Sequence, residues 1–282
     1  MQAKIIIHGG FFSESDTNQE MKLAKQRALS EIVEMGYSYL LQHSALQTVN
    51  YTVSLLEDCD LFNAGLGSQI QKDGKIRLSA SIMDGRSKRF GGVINIQNVK
   101  NPVQIACKLM DLPDNVLSDH GALQFARDNG FDHYNPETSV RRADYEKKRS
   151  EADRTGTVGC VALDTKGDLA VATSTGGKGF EIPCRVSDSA TVAGNYANDL
   201  AAVSCTGVGE DIVKGAIAAK IVTRVTDGFG LEEAYIKTFE ELKSFDGFAG
   251  AISIDGKGNI FHLDSHPYMV WASYDNGVQV FT

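Results

Sequence analysis

The chain has 282 residues, 42% hydrophobic and 23% charged, with a formal net charge of −8. That length suits a single large α/β unit with a sizeable core. The acidic balance argues against nucleic acid or an anionic membrane as the main partner, and no apolar run approaches a spanning helix or a signal segment, so a soluble, cytoplasmic protein is expected.

Ile5 to His8 reads as a short buried strand ending at Gly9-Gly10. Glu20 to Gln42 carries Ala24, Ala28, Ile32, Met35 and Tyr39 at helical spacing, with Leu29, Val33 and Leu40 widening the stripe. Ser44 caps a second helix, Gln47 completes a capping box, and Leu46, Val49, Val53 and Leu56 form its apolar face. From Gln69 the period changes to two. Ile70, Ile76, Leu78 and Ala80 flank Lys72-Asp73-Gly74-Lys75, which predicts a hairpin through Asp-Gly. Gly91 to Ile96 is a further strand, and Asn101-Pro102 opens a helix with Asn as N-cap. Asp119 to Asn129 predicts a short helix ended by Gly130. His133 to Gly156 is charged and nearly free of large apolar residues, so a solvated helix and an exposed linker over about 134–156 fit equally well. Beyond Thr157 come two hairpins, Val158 to Thr173 turning at Lys166-Gly167-Asp168 and Ala251 to His262 turning at Lys257-Gly258-Asn259. Two helices, Glu210 to Val225 and Leu231 to Leu242, separate them. The hairpins predict a layered α/β arrangement with mostly antiparallel sheets.

Familiar chemistries fail on spacing. The glycine cluster at Thr175-Gly176-Gly177-Lys178-Gly179 is not a P-loop, because Ala172 stands five residues before Gly177 and Gly179 follows Lys178. His262 and His266 form the one close histidine pair, without the helix or the Glu-x-x-His that a zinc site needs. The five cysteines, Cys59, Cys107, Cys160, Cys184 and Cys205, have no Cys-x-x-Cys spacing and read as reduced, mostly buried thiols, Cys160 and Cys205 as small core residues.

What remains is a polar set of Thr157, Thr173, Thr175 and Thr206, with Arg185 and Asp188 nearby in sequence. A threonine hydroxyl is a poor nucleophile unless a base stands beside it, and cleavage before Thr157 would free such a base as the residue's own α-amine. The Gly156-Thr157 junction, between a solvated linker and a buried strand, is where a self-activating hydrolase would place that residue. On its local sequence alone, Thr157 reads first as a β-branched residue opening a strand, and it is the rest of the chain that favours the nucleophile. Arg185 offers a fork for a carboxylate and Asp188 an acceptor for an ammonium, so the pair could hold an amino-acid zwitterion. A plain surface ion pair is the alternative.

The blocks Phe62-Asn63-Ala64-Gly65, Ser81-Ile82-Met83-Asp84-Gly85, Gly156-Thr157-Val158-Gly159, Ala172-Thr173-Ser174-Thr175-Gly176-Gly177, Arg185-Val186-Ser187-Asp188-Ser189 and Thr206-Gly207-Val208-Gly209-Glu210 span nearly the whole chain in order. The chain resembles the plant-type L-asparaginases/isoaspartyl peptidases, a family of N-terminal-nucleophile hydrolases. The resemblance implies a four-layer αββα sandwich and a precursor cut at Gly156–Thr157 into an α subunit (1–156) and a β subunit (157–282), associated as a homodimer of αβ units. It implies Thr157 as nucleophile, Thr175 as its support, Thr206 and Gly207 as oxyanion donors, and Asn63 facing the nucleophile. Arg185, Asp188, Thr206, Gly207 and Gly209 would bind substrate. No catalytic cofactor is implied. A structural sodium ion would sit among the main-chain carbonyls of Leu56, Glu57, Cys59, Phe62, Ala64 and Leu66. The implied substrates are L-asparagine and β-aspartyl dipeptides, with sugar-linked asparagine, or an uncleaved binding role, as rivals. Phe11-Phe12, Cys184, Ser187, Ala190, Val192 and Asn195 depart from the family pattern.

Overall fold

The computed structural model describes residues 1–12, 19–147 and 156–282. In chain order the elements are β1 (Lys4–Phe11), α1 (Gln19–Leu40), α2 (Ala45–Glu57), β2 (Leu78–Asp84), β3 (Phe90–Ile96), α3 (Pro102–Leu109), β4 (Val116–Ser118), α4 (Asp119–Asp128) and α5 (Ser139–Lys147). After the junction come β5 (Val158–Leu163), β6 (Leu169–Thr175), β7 (Asn195–Ala197), β8 (Ala201–Gly207), α6 (Gly209–Gly215), α7 (Ile217–Thr226) and α8 (Leu231–Leu242). Four strands close the chain: β9 (Ala249–Asp255), β10 (Ile260–Asp264), β11 (Met269–Tyr274) and β12 (Val278–Val280).

The strands form an eight-stranded sheet, ordered β12-β11-β1-β5-β6-β2-β3-β4, and a four-stranded sheet, β10-β9-β8-β7. Every pairing is antiparallel except β3 with β4. Period-two alternation divides the apolar side chains among three cores. Ile5 and Ile7 of β1 pack with Leu29, Val33, Val49, Val53 and Val103 of α1–α3 on one face of the large sheet. Ile6, Val161, Leu163, Leu169 and Val171 point the other way and meet Ala202, Ile252 and Ile254 of the small sheet. The far face of the small sheet buries Val203 and Ala251 against Ile221, Tyr235 and Phe239 of α7 and α8. Among the described residues, no helix is long and apolar enough to cross a membrane.

Most predicted elements appear. The capping box at α2 is complete, with Gln47 N–H donating to Ser44 Oγ (3.3 Å) and Ser44 N–H to Gln47 Oε1 (3.1 Å). Both late hairpins, β5–β6 and β9–β10, form as expected.

Four expectations need correction. The Asp73-Gly74 turn exists, closed by Gln71 N–H to Lys75 O (2.9 Å), but Ile70 does not belong to a ladder; its carbonyl accepts from Phe180 N–H (3.0 Å) and β2 pairs with β3 and β6 instead. Asn101 does not cap α3, because its amide donates to Ser54 O and Asp58 Oδ1, while Glu57 Oε1 accepts the Val103 N–H (3.1 Å). Of the five unpaired cysteines, Cys160 and Cys205 are buried, but Cys59 and Cys107 are half-buried and Cys184 is exposed. Over the charged segment, where a solvated helix and an exposed linker fitted equally well, the solvated helix forms as α5, with no buried residue. It is tethered by Arg141 Nε–H to Gly67 O (2.6 Å), and residues 148–155 of the predicted linker lie outside the described residues.

The helix predicted over Glu210 to Val225 is two helices, broken at Ala216 with φ +47°. The amides of Ala218 and Ala219 in the first turn of α7 donate instead to the carbonyls of Ala193 (2.8 Å) and Val192 (3.1 Å), which fixes the break. A left-handed conformation costs an alanine roughly 1–2 kcal/mol and a glycine little. Ala216→Gly is therefore expected to stabilise the fold by about 0.5–1 kcal/mol, read from urea midpoints at constant slope.

Candidate active site

Strand alternation assembles the site. On β5 and β6, Val158, Cys160, Ala170 and Ala172 occupy the helix-side core, so Thr157, Thr173 and Thr175 face the small sheet. On β8, Ala201, Val203 and Cys205 occupy the opposite outer core, so Ser204 and Thr206 face back. Thr157, Thr175 and Thr206, all buried, meet at one end of the gap between the sheets. Thr157 Oγ1–H donates to Thr175 Oγ1 (3.2 Å), and Thr175 Oγ1 also accepts the Gly177 N–H (3.1 Å). A side chain on Gly156 would place its Cβ 2.6 Å from Thr206 Oγ1 and 2.8 Å from the Gly10 Cα, so the Gly156–Thr157 junction is wedged against that hydroxyl. Thr206 Oγ1 is buried and has no hydrogen-bond partner among the described residues. Gly207, at φ +136°, follows it, and a Cβ there would press on the Phe248 carbonyl at 2.6 Å.

Arg185 and Asp188 sit together beside this point. The Arg185 fork binds Glu210 through Nε–H to Oε1 (2.8 Å) and Nη2–H to Oε2 (2.6 Å), and Lys178 Nζ lies 3.3 Å from the same Oε1. The Arg185 hydrogen bonds hold the Glu210 carboxyl down at about 2, despite partial burial. Asp188 is buried; desolvation raises its carboxyl to about 6, its own main-chain amide and the Arg185 charge offsetting part of the effect. Among the described residues its Oδ2 has no hydrogen-bond partner, an acceptor unfilled in the interior. Gly209 leaves both groups room: a Cβ there would lie 2.7 Å from Asp188 Oδ1 and 2.9 Å from Arg185 Nη2.

Asn63 reaches the site through the loop after Thr175. Its Nδ2–H donates to Gly177 O (2.5 Å), its Oδ1 accepts from Gln69 N–H (2.9 Å), and its carbonyl accepts from Gly176 N–H (2.9 Å). Three neighbours were not singled out in the sequence as site residues. Ser189 Oγ lies 3.5 Å from Thr157 Oγ1, and its carbonyl accepts from Ser81 Oγ–H (2.6 Å). Lys178 and Glu210 join the Arg185 cluster. Ser189 and Glu210 close two of the quoted sequence blocks and Lys178 lies in the glycine cluster, but their contacts run across strands and carry no local spacing.

The loop from Leu56 to Gly67 curls back on itself, with Gly65 at φ +51° and Gly67 at φ +85°. Glu57 O accepts from Leu66 N–H (2.8 Å), Cys59 O from Phe62 N–H (3.3 Å) and Leu56 O from Cys59 N–H (3.3 Å). Among the described residues, no main-chain hydrogen bond falls on the carbonyls of Phe62, Ala64 or Leu66. The Glu57 side chain turns away to α3; burial raises its carboxyl to about 8, hydrogen bonds from Ser174, Val103 and Asn101 opposing the shift. Among the described residues, no cluster of His, Cys, Asp and Glu could hold a metal ion.

Thr157 is thus preceded by a compressed glycine, with the Thr206 hydroxyl opposite and the Arg185–Glu210 pair and Asp188 alongside. The chain is 46% identical over 281 residues to an isoaspartyl peptidase/L-asparaginase of Nostoc sp., covering 92% of this chain and 88% of the relative. It is 39% identical to the isoaspartyl peptidase of Escherichia coli, covering 92% and 88% of the two chains. It is 34% identical to the plant-type L-asparaginase of Pyrococcus furiosus, covering 98% and 97%. The asparaginase family pattern matches residues 1–281, and the chain belongs to that family.

Proposed function

We propose that the protein is a self-cleaving N-terminal-threonine amidohydrolase that releases L-aspartate from L-asparagine and from β-aspartyl dipeptides. The observation that carries this reading is the convergence of Thr157, Thr175 and the unpartnered Thr206 hydroxyl on the Gly156–Thr157 bond. In the precursor, Thr157 Oγ1 adds to the Gly156 carbonyl carbon, the C–N bond breaks to leave an ester and a free Thr157 amine, and water hydrolyses the ester. Chains 1–156 and 157–282 then stay together as one four-layer αββα body of the N-terminal-nucleophile type, which the three successive cores suit.

In turnover, the new α-amine takes the Thr157 Oγ1 proton; such amines titrate at about 7.7–8.0, near neutral pH. The oxygen attacks the substrate's side-chain amide carbon, and the Thr206 hydroxyl and the Gly207 amide hold the oxyanion. Collapse expels ammonia, or the second residue's amine, with the proton taken from Thr157, leaving a β-aspartyl ester. Water then attacks that ester and frees aspartate. Arg185 holds the α-carboxylate, Asp188 accepts from the α-ammonium, and Gly209 keeps the clamp open. Thr175 and Asn63 hold the nucleophile and its loop.

The carbonyls of Glu57, Cys59, Phe62, Ala64 and Leu66 would hold a sodium ion, since among the described residues three carry no main-chain hydrogen bond and Glu57 and Cys59 each accept one, whereas Leu56 O, implied in the same set, already accepts from the Asp58 and Cys59 amides. Hard cations take such oxygens, and the ion's role there is to brace the loop that carries Asn63. No cofactor enters the chemistry. A homodimer of cleaved units and a cytoplasmic, reducing setting complete the reading, the latter in keeping with five unpaired thiols.

The test is the intact mass of purified protein held at neutral pH, paired with aspartate release from L-asparagine and β-aspartyl-leucine. Two fragments meeting at Gly156–Thr157, together with aspartate release, are expected. A chain that stays whole and inert rejects the assignment.

A further inference from the structure

One residue pair below the three threonines, the same strands carry a second polar tier. His8 on β1, Thr173 on β6 and Ser204 on β8 all face the gap between the sheets, and Asn195 on β7 pairs directly with Ser204. All four are buried, Thr173, Ser204, His8 and Asn195 each at 0% exposure. Below them the gap is apolar, filled by Ile6, Val161, Val171 and Ala202. A polar tier in such a place is tolerated only if its members satisfy one another.

They do so in part, as a chain that leaves His8 Nδ1 and Asn195 Nδ2 without a hydrogen-bond partner among the described residues. His8 Nε2 lies 2.9 Å from Ser204 Oγ, Ser204 Oγ lies 2.8 Å from Thr173 Oγ1, and Thr173 Oγ1–H donates to Asn195 Oδ1 (2.9 Å). A hydroxyl has one proton. With Thr173 committed to Asn195, Ser204 donates to Thr173, and His8 Nε2–H donates to Ser204. The imidazole stays neutral: burial lowers it to about 3, and the adjacent Thr157 main chain offsets little of that. Gly159, two residues beyond Thr157 and paired with both His8 and Thr173, is what lets the link form. A Cβ at Gly159 would sit 2.0 Å from Ser204 Oγ and 2.3 Å from His8 Nε2, so the hydrogen bond passes directly over its Cα.

We infer that His8 is a positioning residue for the nucleophile, acting through its Nε2–H to Ser204 and Thr173, each of which stands two residues from a threonine of the reacting tier. The tier ties β1 and β6 of the large sheet to β7 and β8 of the small one. Thr206 must remain aligned with Thr157 and Thr175 although it belongs to the other sheet, and within the gap the His8–Ser204–Thr173 chain is the polar link immediately beneath it. A misplacement of about 1 Å at reacting atoms can cost on the order of a hundredfold in rate. His8 has no part in proton transfer.

This inference rests on the hydrolase reading above, and its test separates the two. Hydrolysis of β-aspartyl-leucine and the rate of self-cleavage are measured for wild type, His8→Leu, His8→Gln, Ser204→Ala and the His8→Leu/Ser204→Ala pair. Glutamine places an amide N–H close to the Nε2 position. His8→Leu and Ser204→Ala are each expected to lower kcat about 10–100-fold with KM within twofold, the double variant to lose no more than the worse single one, and His8→Gln to recover most of the loss. The pH at which kcat falls on the acid side is expected to be the same in all of them. Full activity in His8→Leu, equal loss in His8→Gln, additive losses, or a shifted acid limb would overturn the positioning role. Should His8→Leu fail to fold, Ser204→Ala and His8→Gln carry the decision. A wild type that cleaves itself but hydrolyses nothing defeats the substrate reading while self-cleavage still tests His8. A wild type that does neither defeats both.

Discussion

Thr157→Ala is expected to yield one uncut chain with no measurable release of aspartate and an unchanged fold. Two roles vanish together, because the hydroxyl that opens the Gly156–Thr157 bond is the one that later attacks the substrate. Loss of a hydrolase nucleophile costs roughly 10⁶ in kcat where binding and oxyanion groups remain. Here the expected loss is larger in effect, since an uncut chain also lacks the α-amine base. The fold should survive. Thr157 lies just before β5 rather than within it, and among the described residues its hydroxyl binds only neighbouring hydroxyls. Replacing a buried hydroxyl whose partners can rearrange costs about 1 kcal/mol. Mass spectrometry of the intact protein, circular dichroism and an aspartate assay decide the matter, and two bands from the variant would remove Thr157 from the role. Thr157→Ser keeps the hydroxyl and is expected to retain cleavage at a reduced rate.

Legibility followed the range of the interactions. The α2 cap was readable because Ser44 and Gln47 are three residues apart and complete each other. The β5–β6 hairpin was readable because its turn and its alternating faces lie in one stretch of chain. Asn101 misled for the opposite reason. Its cap position was right, but Glu57, far away in sequence, reaches the α3 amide first. Ala216 gave no sign of a helix break, since the carbonyls that claim the next amides belong to Val192 and Ala193. At the site, the blocks around Thr157, Thr175, Arg185, Asp188 and Thr206 were legible as residue patterns. Their alignment across two sheets was not, because alternation states which face a residue takes but not which strand lies opposite. The His8 tier was hidden on the same account: each member is an ordinary polar residue within its own strand.

Asp188→Asn is expected to damage activity and improve stability together, with opposite dependences on pH. Desolvation raises the Asp188 carboxyl from 3.8 to about 6 in the folded chain. The native state therefore holds the proton more tightly than the unfolded chain does. Stability linked to this group is fully present below pH 3.8, falls as pH rises toward 6, and is gone above it. The loss is on the order of 2–3 kcal/mol at pH 8 for a shift of about two units. An asparagine cannot ionise, so the variant escapes that loss and should unfold at higher urea than wild type at pH 8, the gap closing toward pH 4. Binding runs the other way. The substrate ammonium needs an ionised acceptor, and the unpartnered Oδ2 supplies it only once Asp188 has lost its proton. In wild type, KM for L-asparagine is expected to rise about tenfold per pH unit below 6, while kcat follows the α-amine near 7.7–8.0. Removing one partner of a buried charge pair costs about 2–5 kcal/mol, so kcat/KM should fall roughly 30- to several-thousandfold in the variant, and the limb near pH 6 should disappear from KM. Self-cleavage involves no ammonium and should proceed. A variant less stable than wild type at pH 8, or one that keeps the limb near pH 6, would show that Asp188 braces the loop rather than waiting for a cation.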